Sequence, residues 1–472
     1  MSGRLDFEYG FNSHSAKRID AQEPMRVYFL GNFSAVKAEQ ENAPDHKILR
    51  IDIDNFDQVM TKLSPSICLP SGHQLTFNEL EDFHPNNLIN TPVFKNLRRL
   101  KRELSNPNTA EQAANEVMTQ FQLDAQKSAQ EADIEVLQDA PETDNNDDMF
   151  ERLLGKKQSV PSEPTSAASG TQSIGNLDLF LAQLLKPHIV NDTKPEHLNL
   201  LAIIDQALQE LMKSILHSKQ FQAIESLWRG VRDVIFSEEY DEEEQFFYLI
   251  DADHSTLDKA VAGDTVLVSK ISQHLKDTDV TTYDVLVADY QFSASHEDIT
   301  ALNYLASLGE ALKCQVVSGA DDSLVNSPDE SLWHEFRQTP QASYLALSYP
   351  RVLLRLPYGE KYDEVDSFAF EEFPNEHQHN QLLWGNLAFA CARLLIRQYQ
   401  GLVSYDAHIT ELPAFVYAQG DEQKLHACGE YLLSEQQLMD IQKQGISPFA
   451  SFRNRNCIRL YGDKIKAVSN LK

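Results

Sequence analysis

Basic side chains are scarce in this sequence: 41 Lys and Arg stand against 71 Asp and Glu in 472 residues, a formal charge of −30. Affinity for phosphate backbones rests on Lys and Arg, so this balance argues against a free-standing nucleic-acid binder and against anionic membrane surfaces as targets. Cysteine is scarce too. The five present, Cys68, Cys314, Cys391, Cys428 and Cys457, are widely spread with no C-x-x-C pair. That odd, scattered set argues against a disulfide framework or a zinc site and points to a reduced compartment, the cytoplasm. Long apolar runs are missing as well. The most lipid-like stretch, Leu387 to Ile396, has ten residues and contains Arg393, far short of the roughly 20 needed to span a bilayer. No apolar stretch of signal-peptide type follows Met1.

Catalytic signatures are equally thin. Neither G-x-x-x-x-G-K-[ST] nor G-x-G-x-x-G occurs, and H-E-x-x-H and G-x-S-x-G are absent. His377 and His379 alternate beside Glu376, which reads as a solvated loop before it reads as a pair of metal ligands. Asp251, Asp253 and Asp258 resemble a calcium loop only superficially, because Thr256 stands where the sharp turn needs glycine. Glu371 and Glu372 are adjacent, and on a strand adjacent side chains point to opposite faces, so they make no carboxylate dyad there. The expectation is a protein without enzymatic activity and without a cofactor.

What is present divides the chain into an N-terminal tail (1–24), a small mixed domain (25–104), an acidic linker (105–175) and a larger domain (176–472). In the small domain, Met25 to Gly31 and Lys47 to Ile51 are β-prone, while Phe56, Val59, Met60 and Leu63 recur at helical spacing before Pro65. Thr91-Pro92 opens a basic amphipathic helix. Val93, Phe94, Leu97, Leu100 and Leu104 share one face, and Lys95, Arg98, Arg99, Lys101 and Arg102 share the other. In so acidic a chain that basic face is either a solvated surface or a dock for an acidic patch of the same protein or a neighbouring copy. The linker carries about 13 acids against 4 bases and two aromatics, Phe121 and Phe150. Such a stretch buries too little apolar surface to offset its ordering entropy, with helical islands expected around Val117, Met118 and Phe121.

The larger domain opens with a long amphipathic helix through Leu200, Ile204, Leu208, Leu211 and Ile215. Thr265 to Val268 and Asp284 to Ala288 read as short buried strands, and a helical segment with Ile299, Leu302 and Leu305 leads to a third at Cys314 to Val317. Strand, helix, strand implies a crossover and a partly parallel sheet. Ser327-Pro328-Asp329-Glu330 and Ser434 to Gln437 read as helix starts, with Gly445 closing the second helix. The fold class is therefore α/β (α+β), a partly parallel sheet flanked by helices beside a smaller mixed domain. Pro350 and Pro357 bracket an apolar run suited to an edge strand or connector. Trp228, Trp333 and Trp384 read as core. Arg351 and Arg355 are expected to form structural ion pairs with Asp289 or Glu371.

Two blocks of sequence resemble known proteins. Met25 to Ser34, Ile51 to Pro65 (with Phe56), Leu75 to Phe77, and Leu80 to Pro85 (with Phe83) resemble the small contractile-sheath subunit of bacterial type VI secretion systems, the TssB or VipA family. Ile215 to Gln222 (with Phe221) and Leu227 to Gly230 (with Trp228 and Arg229) open the second block. It continues with Val285 to Ser293 (Asp289, Tyr290, Phe292), Tyr349 to Gly359 (Pro350, Arg351, Arg355, Pro357, Tyr358), Phe368 to Glu372 (Glu371), and Leu383 to Asn386 (Trp384, Gly385). These pieces resemble the large sheath subunit, the TssC or VipB family. The resemblance implies a structural, phage-tail-like role and assigns these residues to the wall unit's structure or interfaces. The subunits are normally separate chains, and fusion fixes their ratio and raises their effective concentration.

The sequence departs from the family after the Trp384-Gly385-Asn386 piece, where a glycine-rich turn has no counterpart. From the resemblance, the larger domain is expected to lack the family's C-terminal inner-layer domain, which exchanges strands between neighbours. The resulting expectation is a sheath-derived component that interacts with sheath subunits, baseplate or sheath-end components, with or without a homo-oligomer, and the sequence leaves open whether it polymerises by itself. The alternative is an adaptor for sheath subunits or for the ClpV-type AAA+ unfoldase, which in the family grips a short helix of the large subunit. Leu177, Leu179, Phe180, Leu184 and Leu185 are the candidates for that helix, and Arg98, Arg99 and Arg102 the candidates for partner contacts.

Overall fold

The computed structural model describes residues 24–35, 48–117 and 197–469, except 238–240, 242–243, 264, 277–282, 329–330, 375–376, 401–406, 420–421 and 454. These residues divide into two compact units, one drawn from 1–67, 75–89 and 212–472, the other from 68–74 and 90–211.

The first unit is built on one sheet. Its N-terminal strands are β1 (Met25–Gly31) and β2 (Ile48–Ile51), followed by α1 (Phe56–Leu63), two three-residue strands β3 (Ser66–Cys68) and β4 (Gln74–Thr76), and the short helix α2 (Pro85–Leu88). Later strands are β5 (Gln245–Asp251), β6 (Tyr283–Phe292), β7 (Gln315–Ala320) and β8 (Leu345–Tyr349). A nine-stranded sheet runs in the order β11-β15-β14-β8-β7-β6-β1-β5-β2, where β11 is His408–Thr410, β14 Ile446–Phe452 and β15 Arg455–Leu460. Pairing is parallel from β14 through β8, β7, β6 and β1 to β5, and antiparallel at both ends. Two smaller ribbons pair β9 (Val352–Leu353) with β10 (Trp384–Gly385) and β12 (Phe415–Gln419) with β13 (Glu422–His426).

Strand β1 shows why this sequence makes a central strand. Every residue of Met25–Gly31 is buried, as a parallel strand covered on both faces must be. Its neighbours lie far away in sequence: Phe29 opposes Leu249 on one side and Val287 on the other. Arg26 is the one charged residue in the run, and it is matched across the sheet. It opposes Asp284, and its Nε and Nη2 donate to that carboxylate at 2.8 and 3.0 Å.

Helices cover both faces. Tyr28 and Leu30 join Leu286 and Ala288 in a core with Leu302 and Leu305 of α8 (His296–Leu312), and with Trp333 of α10 (Leu332–Arg337). From β1's other face, Phe29 meets Phe389 of α11 (Ala388–Tyr399) at 6.0 Å between ring centres. Helix α11 packs on α5 (Lys219–Ile235), with Phe389 lying against Gly230. A Cβ there would lie 2.4 Å from Phe389 Cδ2.

Several sequence expectations meet the structure directly. Helix α1 spans the predicted residues, and α8 links the parallel strands β6 and β7. Helix α12 (Glu435–Lys443) has the capping box at Ser434, and Gly445 follows it at φ 79°. Others are corrected. Thr265 to Val268 does not form a strand: after α6 (His254–Val261), Val266 begins helix α7 (Val266–Lys276), and it is exposed while Leu267 and Ile271 face the core. An apolar run of four cannot distinguish a buried strand from the first turn of an amphipathic helix. Nor does Ser327 cap a helix. The helix after it, α10, is capped by Ser331, whose side chain accepts from His334 N, while α9 (Asp322–Val325) ends before Ser327.

In the second unit, helix α3 (Lys95–Ser105) buries Leu97, Leu100 and Leu104. Residues 110–117 are helical and bury Ala110, Ala113, Ala114 and Val117, and the part of α4 (His197–Leu216) up to Leu211 buries Leu200, Ile204 and Leu208.

Replacing Gly230 by Ala is expected to lower stability despite the better helix propensity of Ala, worth about 1 kcal/mol. The added methyl overpacks a closed helix–helix contact, a strain of about 1–3 kcal/mol. A urea-unfolding midpoint at or above that of the unsubstituted protein would contradict this packing.

Candidate functional site

Helix α5 is the hub on which the family-like residues converge. Ser218 caps it, accepting from Phe221 N at 3.3 Å. Along one face, aromatic side chains of the N-terminal segment pack against it. Phe33 and Phe56 meet the buried Trp228 at 5.3 and 5.7 Å, and Trp228 Nε1 donates to Phe33 O at 3.2 Å. Phe77 and Phe83 stack at 4.3 Å and both meet Phe221, at 5.7 and 5.5 Å. Leu80 is buried beside them in sequence, and Pro85 opens α2. Aromatic contacts of this geometry add about 0.5–1.5 kcal/mol each beyond their buried area.

Along another face, α5 carries a buried ionic network. Glu225 and Arg229 lie one turn apart and pair at 2.8 Å. Arg355 enters between two carboxylates, its Nε 3.2 Å from Glu225 Oε1, while its Nη1 and Nη2 donate to Glu372 at 2.7 and 3.0 Å. Glu372 also accepts from Tyr358 N at 3.0 Å and lies 3.1 Å from His217 Nε2. Arg229 Nη2 lies 3.2 Å from Tyr358 Oη, and the Arg355 guanidinium sits 4.2 Å over that ring. His84 packs edge-on against the same ring at 4.8 Å, and its Nε2 is 3.4 Å from Asp363 Oδ1.

Two arginines and two glutamates thus balance where Glu225 and Glu372 are 0 % and 2 % exposed. Burial alone would push Glu372 up. The charge of Arg355 and hydrogen bonds from His217 and Arg355 outweigh it and hold the carboxyl down at about 2. Burial opposes the charge on Arg355 too, yet Glu372 and Glu225 raise its pKa well above the ordinary arginine value.

The expected pairing of Arg351 and Arg355 with Asp289 or Glu371 is therefore corrected. Arg355 takes Glu225 and Glu372. Arg351 takes Glu430, its Nε donating at 3.0 Å, and His379 Nε2 lies 2.8 Å from the same carboxylate. Glu371 instead accepts from Glu360 N at 2.9 Å, beside Gly359. Asp289 sits within β6 near Asn386, and burial pushes its carboxyl up to about 7 against the hydrogen bond from Asn386. Asn386 Nδ2 donates to Tyr290 O at 2.9 Å, Tyr290 Oη donates to Ala252 O at 2.9 Å, and Phe292 is buried next to it.

Pro350 and Pro357 are buried on either side of β9, which pairs with Trp384 and Gly385 of β10 as a two-residue strand, in keeping with the connector reading. Trp333 is fully buried and Trp384 nearly so. Sequence reasoning missed Glu225, Glu372, His217 and Glu430. A signal existed for the first, since Glu225 and Arg229 stand four apart on a helix.

His377 is half-buried rather than solvated. It packs on Tyr417 at 4.5 Å and Phe415 at 5.4 Å, and burial pulls its pKa down to about 4. Among the described residues no group of three His, Cys, Asp or Glu side chains could hold a metal ion, and no helix is long and apolar enough to cross a membrane. In the second unit the basic helix finds acids of its own chain. Arg99 pairs with Glu103 at 2.8 Å and with Glu116, and Lys101 pairs with Asp205 at 2.6 Å. Arg98 and Arg102 are exposed. Phe180 and Leu184 lie outside the described residues.

Comparison with known proteins places these features. Residues 199–331 and 322–464 match the tail-sheath N-terminal domain of the VipB (EvpB) family, and residues 2–135 match the VipA family of type VI secretion systems. The type VI secretion system sheath protein TssC1 of Pseudomonas aeruginosa is 26 % identical over 309 residues, covering 58 % of this chain and 62 % of that protein. The chain thus spans less than two thirds of that relative's length.

Replacing Glu372 by Gln should cost about 3–5 kcal/mol at neutral pH, since one carboxylate of a buried network is removed and Arg229 and Arg355 are left to share Glu225 alone. The pH dependence has a definite sign. A depressed carboxyl stabilises the fold above its unfolded value of about 4.3 and loses that contribution as pH falls through its folded value near 2. The gap between the urea midpoints of the two proteins should narrow from about pH 4.5 down to 2. A constant gap would rule out this role for Glu372.

Proposed function

From the premise that this chain belongs to the VipB tail-sheath family and carries a VipA-family segment in the same polypeptide, we propose that it is a pre-assembled wall unit. It is a structural component of a type VI secretion apparatus that works by binding other sheath or baseplate subunits, without catalytic turnover. The observation that carries this reading is strand β1. It lies within the VipA-matched residues, and it is hydrogen-bonded on both sides by β5 and β6 of the VipB-matched residues. The aromatic seam of Phe33, Phe56, Phe77 and Phe83 on α5 supports it, because it buries one matched segment against the other.

The same reading holds that the protein enters assemblies through partners and does not extend a wall of itself. Among the described residues the two edges of the sheet are β2, four residues long, and β11, three residues long. Short edge strands offer little ladder for strand-by-strand addition.

Electron microscopy of the purified protein should show single particles, and mixing with separately expressed VipA- and VipB-type subunits should yield a stable complex on size exclusion. Tubes formed by the protein alone would overturn the non-polymerising part. Failure to associate with those subunits at micromolar concentration would overturn the wall-unit reading itself.

A further inference from the structure

One cleft in the first unit inverts the charge of the chain. It measures about 190 Å³ and lies where the end of α10, the end of α12 and the segment after β15 meet. Its charged lining is Arg337, Lys443, Lys464 and Lys466, with no carboxylate among the lining residues. In a chain whose acids outnumber its bases by 30, four cations facing one opening are a local reversal.

The cleft is formed by the fold. Arg337 is 5 % exposed and donates from Nε to Val468 O at 2.9 Å, which ties the wall of α10 to the chain after β15. Gly445, at φ 79°, leaves the floor open, since a Cβ there would lie 2.7 Å from both Arg337 Nε and Val468 O. Lys466 N donates to Ser447 Oγ at 3.3 Å, and Gln442 Nε2 donates to Tyr461 O at 3.2 Å, fixing the facing wall. Lys464 and Lys466 are exposed, and Lys443 makes only an exposed pair with Asp440 at 2.7 Å, of a kind worth little in water.

We infer that this cleft is a docking site for an acidic peptide segment of a partner protein. At about 190 Å³ the cleft is larger than one carboxylate or phosphate group fills. Three of its four cations are lysines, compact charges on flexible stems that adjust to successive carboxylates; a site for one small oxyanion favours the planar fork of arginine. The fourth cation, Arg337, lies deepest. Burial disfavours its charge, so an anion brought beside it gains more than one beside a solvated lysine. The inference stands on the cleft alone and does not require the sheath assignment.

The test is fluorescence anisotropy of the full-length protein with a labelled deca-glutamate peptide and a deca-glutamine control. Saturable binding of the acidic peptide is expected at low salt. It should weaken at least tenfold in the Lys464→Glu/Lys466→Glu variant, and also on raising salt from about 50 to 500 mM, where screening shortens to a few ångströms. Both lysines are exposed, so the variant is expected to keep its far-ultraviolet circular dichroism and unfolding midpoint; Lys464→Gln/Lys466→Gln, which removes charge without reversing it, should lie between the two. No saturable binding, equal binding of deca-glutamine, binding unchanged by the substitutions, or displacement by inorganic phosphate as effective as by unlabelled peptide would each overturn the proposal.

Discussion

The first unit depends on the placement of one strand. β1 is fully buried and parallel to both neighbours, so each of its peptide groups needs partners from segments some 200 residues away, and water cannot substitute. Without it, β5 and β6 would face each other across a gap, and the core made by Tyr28 and Leu30 would open on one face while that of Phe29 opened on the other. The pairing of Arg26 with Asp284 fits the same constraint. A lone buried guanidinium would be costly, whereas opposite the aspartate it favours this register, because a one-residue slip would bury two unpaired charges and turn every side chain of β1 to the wrong face.

The ionic network on α5 plays a related role. Buried ion pairs are poor sources of net stability, since desolvation of both partners offsets most of their attraction. Their effect is on alternatives. Glu225, Arg229, Arg355, Glu372 and Tyr358 come from three separate stretches of chain, and in the arrangement they adopt each guanidinium lies against a carboxylate, which an altered packing of those stretches would undo. The surrounding aromatic seam is tolerant by comparison, because rings can repack at modest cost. Specific electrostatics and tolerant packing on adjacent faces of one helix explain why its sequence mixes Phe221, Trp228 and Gly230 with Glu225 and Arg229.

What the sequence revealed follows the range of each signal. Helix α1, the α12 capping box and the β6–α8–β7 crossover were legible because their causes are local: apolar spacing, a capping serine, a run of β-branched residues. The strand character of Met25 to Gly31 was legible for the same reason, but its neighbours in the sheet were not, since parallel pairing leaves no mark of register in either strand alone. The partners of Arg351 and Arg355 were misjudged for a similar reason. Charge type and a nearby motif narrowed the choice to carboxylates, yet Glu372 and Glu371 are adjacent in sequence, and only the backbone course from Tyr358 decides which of them turns inward. The strand expected at Thr265 to Val268 failed at the opposite extreme, where a purely local apolar run was too short to carry a period.

Joining the two family-like segments in one polypeptide changes the energetics of this shared sheet more than its geometry. Were β1 on a separate chain, its insertion between β5 and β6 would be opposed by the loss of translational and rotational freedom, several kcal/mol by most estimates. The aromatic seam and the Arg26–Asp284 pair would have to offset that loss at every encounter. Within one chain the corresponding term is loop closure, which grows only by about 0.6 kcal/mol for each doubling of the connection. The sheet that the flanking segments build is therefore only weakly sensitive to the length of the sequence that joins them.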